Sequence, residues 1–252
     1  MEPVRANRSA VTLHSVWDRP DAVRVLPVIG ALLPRHAPAL VAAFADAGVR
    51  AVEITLRDPQ ALAALRAAAQ ADAGVAVGAG TVCNPGQMEA ALDAGATFAV
   101  SPGFDSALTR HAIAIGVPYL PGVATASEVM AARELGLRLL KFFPAEAMGG
   151  VATLRALAGP FPDVAFIPTG GVGAANLRGY LQLPTVRAVG GSWLVTAEEL
   201  AAGDFSGVAG RVTAARGVGG QFQQASGLEQ AAPLVALATV AGFFVAFVSS
   251  QG

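Results

Sequence analysis

The chain has 252 residues and a net charge of −1, and 54% of its residues are apolar against 14% charged. This length suits one large α/β domain, and the balanced charge gives no electrostatic reason to expect a nucleic acid as a partner. A single cysteine, Cys83, excludes an intrachain disulfide framework and favours a reducing compartment, so we expect a cytoplasmic protein.

Short β-rich runs alternate with alanine-rich helical runs along most of the chain. We predict eight strands, each followed by a helix, at 24–30, 51–57, 76–82, 98–103, 118–124, 139–145, 164–171 and 186–193. This alternation predicts parallel strands, and eight such units are the number that closes a barrel. We therefore predict a (β/α)8 TIM barrel over residues 1–216. A doubly wound open sheet is the alternative, but its usual glycine fingerprint is missing from the first turn.

The composition changes after the predicted barrel. Residues 217–230 are rich in Gly, Gln and Ser, which is typical of a flexible linker. From Ala231 to Val248 there are 18 residues without a charge, and as a helix they would span about 27 Å. We predict an apolar helical tail at 231–252. Three alternatives are open for it: burial against protein, such as between subunits of a larger assembly, contact with a membrane through 231–248, or a disordered extension.

Lys141 is the only lysine among the 17 Lys and Arg residues, and it lies inside an apolar strand run. In a parallel barrel, side chains alternate between the lumen and the helix layer, and catalytic groups gather at the carboxyl ends of the strands. If Lys141 points inward with Leu139 and Phe143, burial favours its neutral amine, which can form a Schiff base with a ketone. An arginine could not. The alternative is a surface lysine whose stem lies along a strand end.

The second strand carries Glu53, Thr55 and Arg57 on one face. A carboxylate in an otherwise apolar strand is costly unless it is paired or functional. Glu53 is therefore a candidate for the proton transfers of Schiff-base chemistry, or it forms an ion pair with Arg57. Arg57, at the strand end, offers a forked donor that suits a carboxylate.

Two glycine-rich runs, 168–177 and 189–194, follow the seventh and eighth strands. Barrel enzymes often bind phosphate there, on backbone N–H groups that glycine leaves accessible. Together the runs indicate a phosphorylated ligand, and tight turns without a ligand are the alternative. The histidines are far apart and share no metal-binding spacing, so we predict no metal site: His14, His36 and His111.

From about Arg24 to Ala215 the chain resembles the 2-keto-3-deoxy-6-phosphogluconate (KDPG) and 4-hydroxy-2-oxoglutarate (KHG) aldolases. The similar segments, in chain order, are "VLPVI", "GVRAVEITLR", "VGAGTV", "FAVSPG", "KFFPAE", "GPFPDVAFIPTGGV" and "VGGSWLV". The resemblance implies a homotrimeric class I aldolase that forms a Schiff base and uses no metal or other cofactor. Its partner would be a small phosphorylated keto acid.

The resemblance also implies a role for each matching position. Lys141 would bind the keto carbon of the substrate, and Glu53 would be the general acid and base. Two residues would hold the substrate carboxylate: Arg57 and Thr81. Two would line the pocket: Pro102 and Phe143. Four would bind the phosphate: Gly170, Gly171, Gly191 and Ser192.

We therefore predict an aldolase that cleaves KDPG to pyruvate and glyceraldehyde 3-phosphate, and KHG to pyruvate and glyoxylate. An aldolase for the phosphogalactonate epimer is one alternative, and another is a phosphate-binding lyase or isomerase that forms no Schiff base. A third alternative is not an enzyme: the barrel would be a scaffold, and the apolar tail would drive assembly or membrane attachment.

Overall fold

The computed structural model describes residues 16–17 and 22–223. Its strands are β1 (Val25–Ile29), β2 (Ala51–Thr55), β3 (Ala76–Gly80), β4 (Phe98–Val100), β5 (Tyr119–Leu120), β6 (Gly122–Val123), β7 (Leu139–Phe142), β8 (Ala165–Pro168) and β9 (Val189–Gly191). Its helices are α1 (Ala37–Asp46), α2 (Ala61–Gln70), α3 (Pro85–Asp93), α4 (Ser106–Ala114), α5 (Ala126–Glu134), α6 (Gly150–Ala158), α7 (Leu177–Leu181), α8 (Ala197–Ala202) and α9 (Val208–Gln223). A short 3-10 helix, Pro34–His36, precedes α1.

The strands form a curled parallel sheet in an α/β fold, as predicted. One sheet has the order β5-β4-β3-β2-β1-β9, and a second has the order β6-β7-β8. Between β5 and β6 lies only Pro121, whose missing N–H interrupts the ladder. At the other edge, Phe166 and Thr169 form parallel bridges to Val186 and Gly190. Each of the predicted strand runs contains an observed strand, and the fifth is split at the proline.

Side-chain caps fix where several helices begin, close to the ends of the strands that precede them. Asn84 and Asp105 accept hydrogen bonds from amides in the first turns of α3 and α4. Thr125 and Thr196 form capping boxes at the starts of α5 and α8. These caps keep the connections short, so the carboxyl ends of the strands and the first turns of the helices meet at one rim.

Buried apolar residues form two clusters. The larger cluster lies between the strands and the helices. The smaller lies inside the curl, and several of its members are first or second residues of strands: Leu26, Ala51, Phe98 and Leu139. Val16 and Trp17 belong to this inner cluster, and Trp17 Nε1 donates to the Val25 carbonyl at 3.4 Å. They therefore cover the amino-terminal end of the strands.

The carboxyl-terminal part of the described chain differs from the prediction. A flexible linker was predicted from residue 217, but α9 continues through Gln223. The helix is held on the body by buried Val208 and Val212, and Arg216 donates to the Ala47 carbonyl at 2.9 Å. The rest of the predicted linker and the apolar tail at 231–252 lie outside the described residues. Within residues 22–223, no helix is long and apolar enough to cross a membrane.

Candidate active site

Lys141 on β7 and Glu53 on β2 meet inside the curl of the sheet. Lys141 Nζ lies 3.1 Å from Glu53 Oε1 and 3.3 Å from Oε2. The two residues are 5% and 0% exposed. They follow Leu139 and Ala51 of the inner cluster by two positions, so the alternation of strand side chains turns them inward. The inward position of Lys141 expected from the sequence is observed, and it is not a surface lysine.

This pair has the geometry that a proton transfer needs. Two opposite charges taken out of water are stabilised by each other, and removing one leaves the other unpaired. A carboxylate in hydrogen-bond contact with an amine can take its proton and return it to a reaction intermediate. The aromatic ring of Phe143 lies 5.2 Å from Lys141 Nζ, so an apolar surface borders the amine on one side.

Gly80, at the end of β3, makes room for the carboxylate. A methyl group on this glycine would overlap Glu53 Oε1. On the same strand, a methyl group on Gly78 would overlap the Phe98 ring. Gly80 was not among the site residues predicted from the sequence. The feature that could have indicated it is a glycine inside a predicted strand, which often marks the close approach of another group.

The predicted carboxylate-binding residues follow neighbouring strands. Arg57 follows β2, is exposed, and donates from Nε to Thr55 Oγ1 at 3.3 Å. Thr81 follows β3 with a φ of 59°, in the left-handed region that costs a non-glycine residue about 1–3 kcal/mol and is frequent at functional sites. Both residues lie at the rim where β7 ends. The Glu53 carboxylate pairs with Lys141, whereas an ion pair with Arg57 was the sequence-based alternative.

The two predicted pocket residues, Pro102 and Phe143, are half-buried around Lys141. Gly122 on β6 is in register with Lys141, and a methyl group on Gly122 would overlap the Pro102 carbonyl. On the other side, a methyl group on Gly170 would lie 3.3 Å from the Phe143 ring. The pocket walls are thus close-packed at both neighbouring strands.

The predicted phosphate-binding residues lie on two adjacent turns, after β8 and after β9. The parallel bridge between Thr169 and Gly190 sets the ends of these strands side by side. Gly170 and Gly171 have φ values of 97° and 79°, which glycine adopts without strain. A methyl group on Gly191 would lie 3.1 Å from the Val172 carbonyl, so the two turns are in contact.

These turns contain backbone N–H groups that can bind an anion. In the part of the chain that the structure describes, the amides of Gly171 and Val172 have no hydrogen-bond acceptor. Successive free N–H groups in such a turn form a concave anion site. Ser192 is exposed at the start of the second turn and borders a cavity of about 530 Å³ that Gly30 and Leu32 also line.

The histidines take no part in this arrangement where they are described. His36 contacts the Leu200 carbonyl through Nδ1 at 3.1 Å, and His111 lies 3.3 Å from Glu89. His14 lies outside the described residues. Over residues 22–223, no group of three or more His, Cys, Asp or Glu side chains is placed to hold a metal ion. A reaction without a metal remains a prediction.

Known proteins are similar to this chain in sequence and in fold. Residues 18–224 match the family described as KDPG and KHG aldolase. A KHG/KDPG aldolase from Escherichia coli (strain K12) is 48% identical over 181 residues, which cover 72% of this chain and 85% of that protein.

Two crystal structures of other proteins have a fold similar to that of this chain. The KDPG aldolase of Zymomonas mobilis ZM4 with 3-phosphoglycerate has a TM-score of 0.72 and 38% identity, and the match covers 78% of this chain and 92% of that chain. The KDPG aldolase of Legionella pneumophila, with pyruvate captured at low pH as a covalent carbinolamine intermediate, has a TM-score of 0.74 and 39% identity. That match covers 80% of this chain and 97% of the other.

Proposed function

The chain belongs to the KDPG and KHG aldolase family, and we propose that it is a class I aldolase that cleaves KDPG to pyruvate and glyceraldehyde 3-phosphate. The observation that carries the proposal is the buried contact of 3.1 Å between Lys141 Nζ and Glu53 Oε1. It places the single lysine of the chain against a proton acceptor at the carboxyl ends of parallel strands, where barrel enzymes hold their catalytic groups.

The reaction begins with a proton transfer. Glu53 takes a proton from the Lys141 ammonium, and the neutral amine attacks C2 of the keto acid. Glu53 returns a proton to the oxygen of the carbinolamine, water leaves, and a protonated imine remains. Each of these transfers needs a donor and an acceptor within hydrogen-bond distance, which the pair already provides.

The protonated imine then acts as an electron sink. Glu53 takes the proton of the C4 hydroxyl, the C3–C4 bond breaks, and its electrons move into the imine to give an enamine. Glyceraldehyde 3-phosphate leaves. Protonation of the enamine at C3 and hydrolysis of the resulting imine release pyruvate and restore Lys141.

The other predicted residues orient the substrate in this proposal. Arg57 and Thr81 bind the carboxylate next to the reacting carbonyl, and Pro102 and Phe143 confine the carbon chain. The phosphate lies on the two glycine turns: Gly170, Gly171, Gly191 and Ser192. Fixing both ends of the substrate lowers the entropic part of the barrier. KHG, which has no phosphate, uses the same reaction centre and yields pyruvate and glyoxylate.

We also propose a finer architecture and assembly. Only Pro121 separates β5 from β6 along the chain, and Phe166 and Thr169 bridge towards β9 at the other edge, which together support one closed (β/α)8 barrel. A homotrimer is proposed on the resemblance to the family. A cytoplasmic location is supported by the one exposed free thiol, Cys83. The roles proposed for the tail, in larger assembly or in membrane contact through 231–248, concern residues outside those described.

Borohydride trapping tests the Schiff base. The full chain is incubated with pyruvate and reduced with borohydride, and the intact mass is measured before the site is mapped in peptides. We expect one pyruvate adduct, on Lys141. Because the chain has a single lysine, the amino terminus is the only other primary amine. An adduct that is missing, or that maps to the amino terminus, contradicts the mechanism. Comparing kcat/KM for KDPG and its galactonate epimer decides between the two aldolase activities.

A further inference from the structure

Glu146 contacts the first glycine turn although it does not belong to it. It lies in the loop between β7 and α6, and its amide donates to the Gly170 carbonyl at 3.0 Å. A methyl group on Gly171 would lie 2.6 Å from Glu146 Cγ, so the side chain packs directly on Gly171. Gly171 carries one of the free amides of the proposed phosphate site. The position of Glu146 therefore bears on the position of that amide.

Tyr180 holds the other end of the Glu146 side chain. It lies on α7, is fully buried, and its hydroxyl donates to Glu146 Oε1. Burial, and then the hydrogen bond and the negative charge of Glu146, raise the pKa of Tyr180 well above its usual value. The hydroxyl therefore stays protonated and donates at neutral pH. A methyl group on Gly150 would lie 3.1 Å from Glu146 Oε1, so the start of α6 closes the other side of this pair.

Asn176 fixes the far side of the same turn. Its Oδ1 accepts from the Gly173 amide at 2.8 Å, and its Nδ2 donates to the Gly171 carbonyl at 3.0 Å. The turn at 170–173 is thus held from two sides, by Glu146 with Tyr180 and by Asn176. Glycines with positive φ have many accessible conformations when nothing restrains them, and an ordered turn binds an anion without that loss of entropy.

We propose that Tyr180 and Glu146 are positioning residues which hold the turn at 170–173 in its phosphate-binding conformation and so set the preference for phosphorylated over unphosphorylated keto acids. A carboxylate repels a phosphate. Glu146 therefore acts through its packing on Gly171, with its charged end turned towards Tyr180 and Gly150. The inference rests on the proposed function and adds a determinant of substrate class to it.

The test compares two substrates that differ in the phosphate. Steady-state kcat and KM are measured for KDPG and KHG with the full chain and with Tyr180→Phe, Glu146→Ala and Glu146→Gln. Loss of one hydrogen bond predicts a KM for KDPG that is roughly 3- to 10-fold higher in Tyr180→Phe and Glu146→Ala. The values for KHG stay nearly unchanged. Glu146→Gln restores most of the KDPG affinity, because its amide oxygen still accepts from Tyr180.

Tyr119→Phe is the matched control. Tyr119 is also buried, and its hydroxyl donates to Ser101 Oγ at 2.7 Å, outside the turn at 170–173. This variant should lose stability, measured as Tm, but keep the ratio of the two KM values. Equal increases in KM for both substrates, or no increase in Tyr180→Phe, would overturn the inference.

Calorimetric titration with inorganic phosphate separates this inference from the proposed function. We expect the full chain to bind phosphate, and Tyr180→Phe to bind it several-fold more weakly. A chain that forms no pyruvate adduct, yet binds phosphate in this Tyr180-dependent way, would contradict the aldolase proposal and leave the positioning role standing. A full chain that binds no phosphate would overturn the positioning role.

Discussion

The two ends of the proposed substrate site use different chemical groups, side chains at one end and backbone amides at the other. At the reaction centre, two buried side chains on strands β2 and β7, Glu53 and Lys141, meet at 3.1 Å. At the phosphate end, exposed turns after β8 and β9 present backbone amides, with Gly170 and Gly171 at positive φ. Breaking and making bonds requires two reactive side chains held in place by a rigid sheet. Binding an anion requires accessible N–H groups and enough space for the anion to reach them. Changes at the first end should therefore alter kcat for every substrate, and changes at the second should alter KM for phosphorylated ones.

Lys141→Arg should have the largest effect. Arginine keeps a positive charge beside Glu53, so the buried pair is preserved in charge, but a guanidinium does not form the imine. We expect cleavage of KDPG and KHG to fall to background and the pyruvate adduct to disappear, while circular dichroism shows a folded protein. Cleavage that survives in this variant would favour the alternative of a lyase without a Schiff base.

Glu53→Gln should come next. The amide has nearly the same size, so the close contact with Gly80 is kept, but the group no longer takes up a proton. The loss of one general acid and base predicts that kcat falls about 10²- to 10⁴-fold for both substrates. The pyruvate adduct should still form, more slowly, in the trapping experiment. A variant with normal kcat and a raised KM would show that Glu53 binds substrate and transfers no proton.

Gly171→Ala should have the smallest effect, and it should be selective. The new methyl group would press on Glu146 and strain a residue with a φ of 79°. Strain of about 1–3 kcal/mol in the turn predicts a KM for KDPG that is higher by roughly 10-fold, with kcat for KHG unchanged. Gly74→Ala is the control, since its φ is 70° and nothing lies within 4 Å of the added methyl. It should lower Tm without changing either KM. A KM effect as large as that of Gly171→Ala would show that the KM for KDPG does not depend specifically on the turn at 170–173.

Local patterns in the sequence predicted much of the fold and of the reaction centre. A strand alternates its side chains with a period of two, so the apolar neighbours of Lys141 favoured an inward amine over a surface one. The turn glycines were also visible, because backbone with positive φ restricts the residue type. These features depend on short stretches of chain, and each predicted strand run contains a strand.

Contacts between distant parts of the chain were not predicted. Gly80 makes space for Glu53 only because β2 and β3 pair in a particular register, in which Thr55 is opposite Gly80. Tyr180 and Glu146 are 34 positions apart and lie on different elements, so neither residue signals the other in the sequence. The helical extension of α9 to Gln223 was missed as well, since a Gly-rich composition favours a linker.

The inner cluster that contains Val16 and Trp17 closes the amino-terminal end of the curl, so the space above the cluster opens at one end only. In the proposed mechanism, the fragment joined to Lys141 sits deepest, above Leu139 of the inner cluster, and the phosphorylated fragment lies towards the open end. We therefore expect the products to leave in a fixed order, the aldehyde first and pyruvate last. In the reverse, bond-forming direction pyruvate must bind before the aldehyde, so an excess of the aldehyde should block the mouth and inhibit condensation.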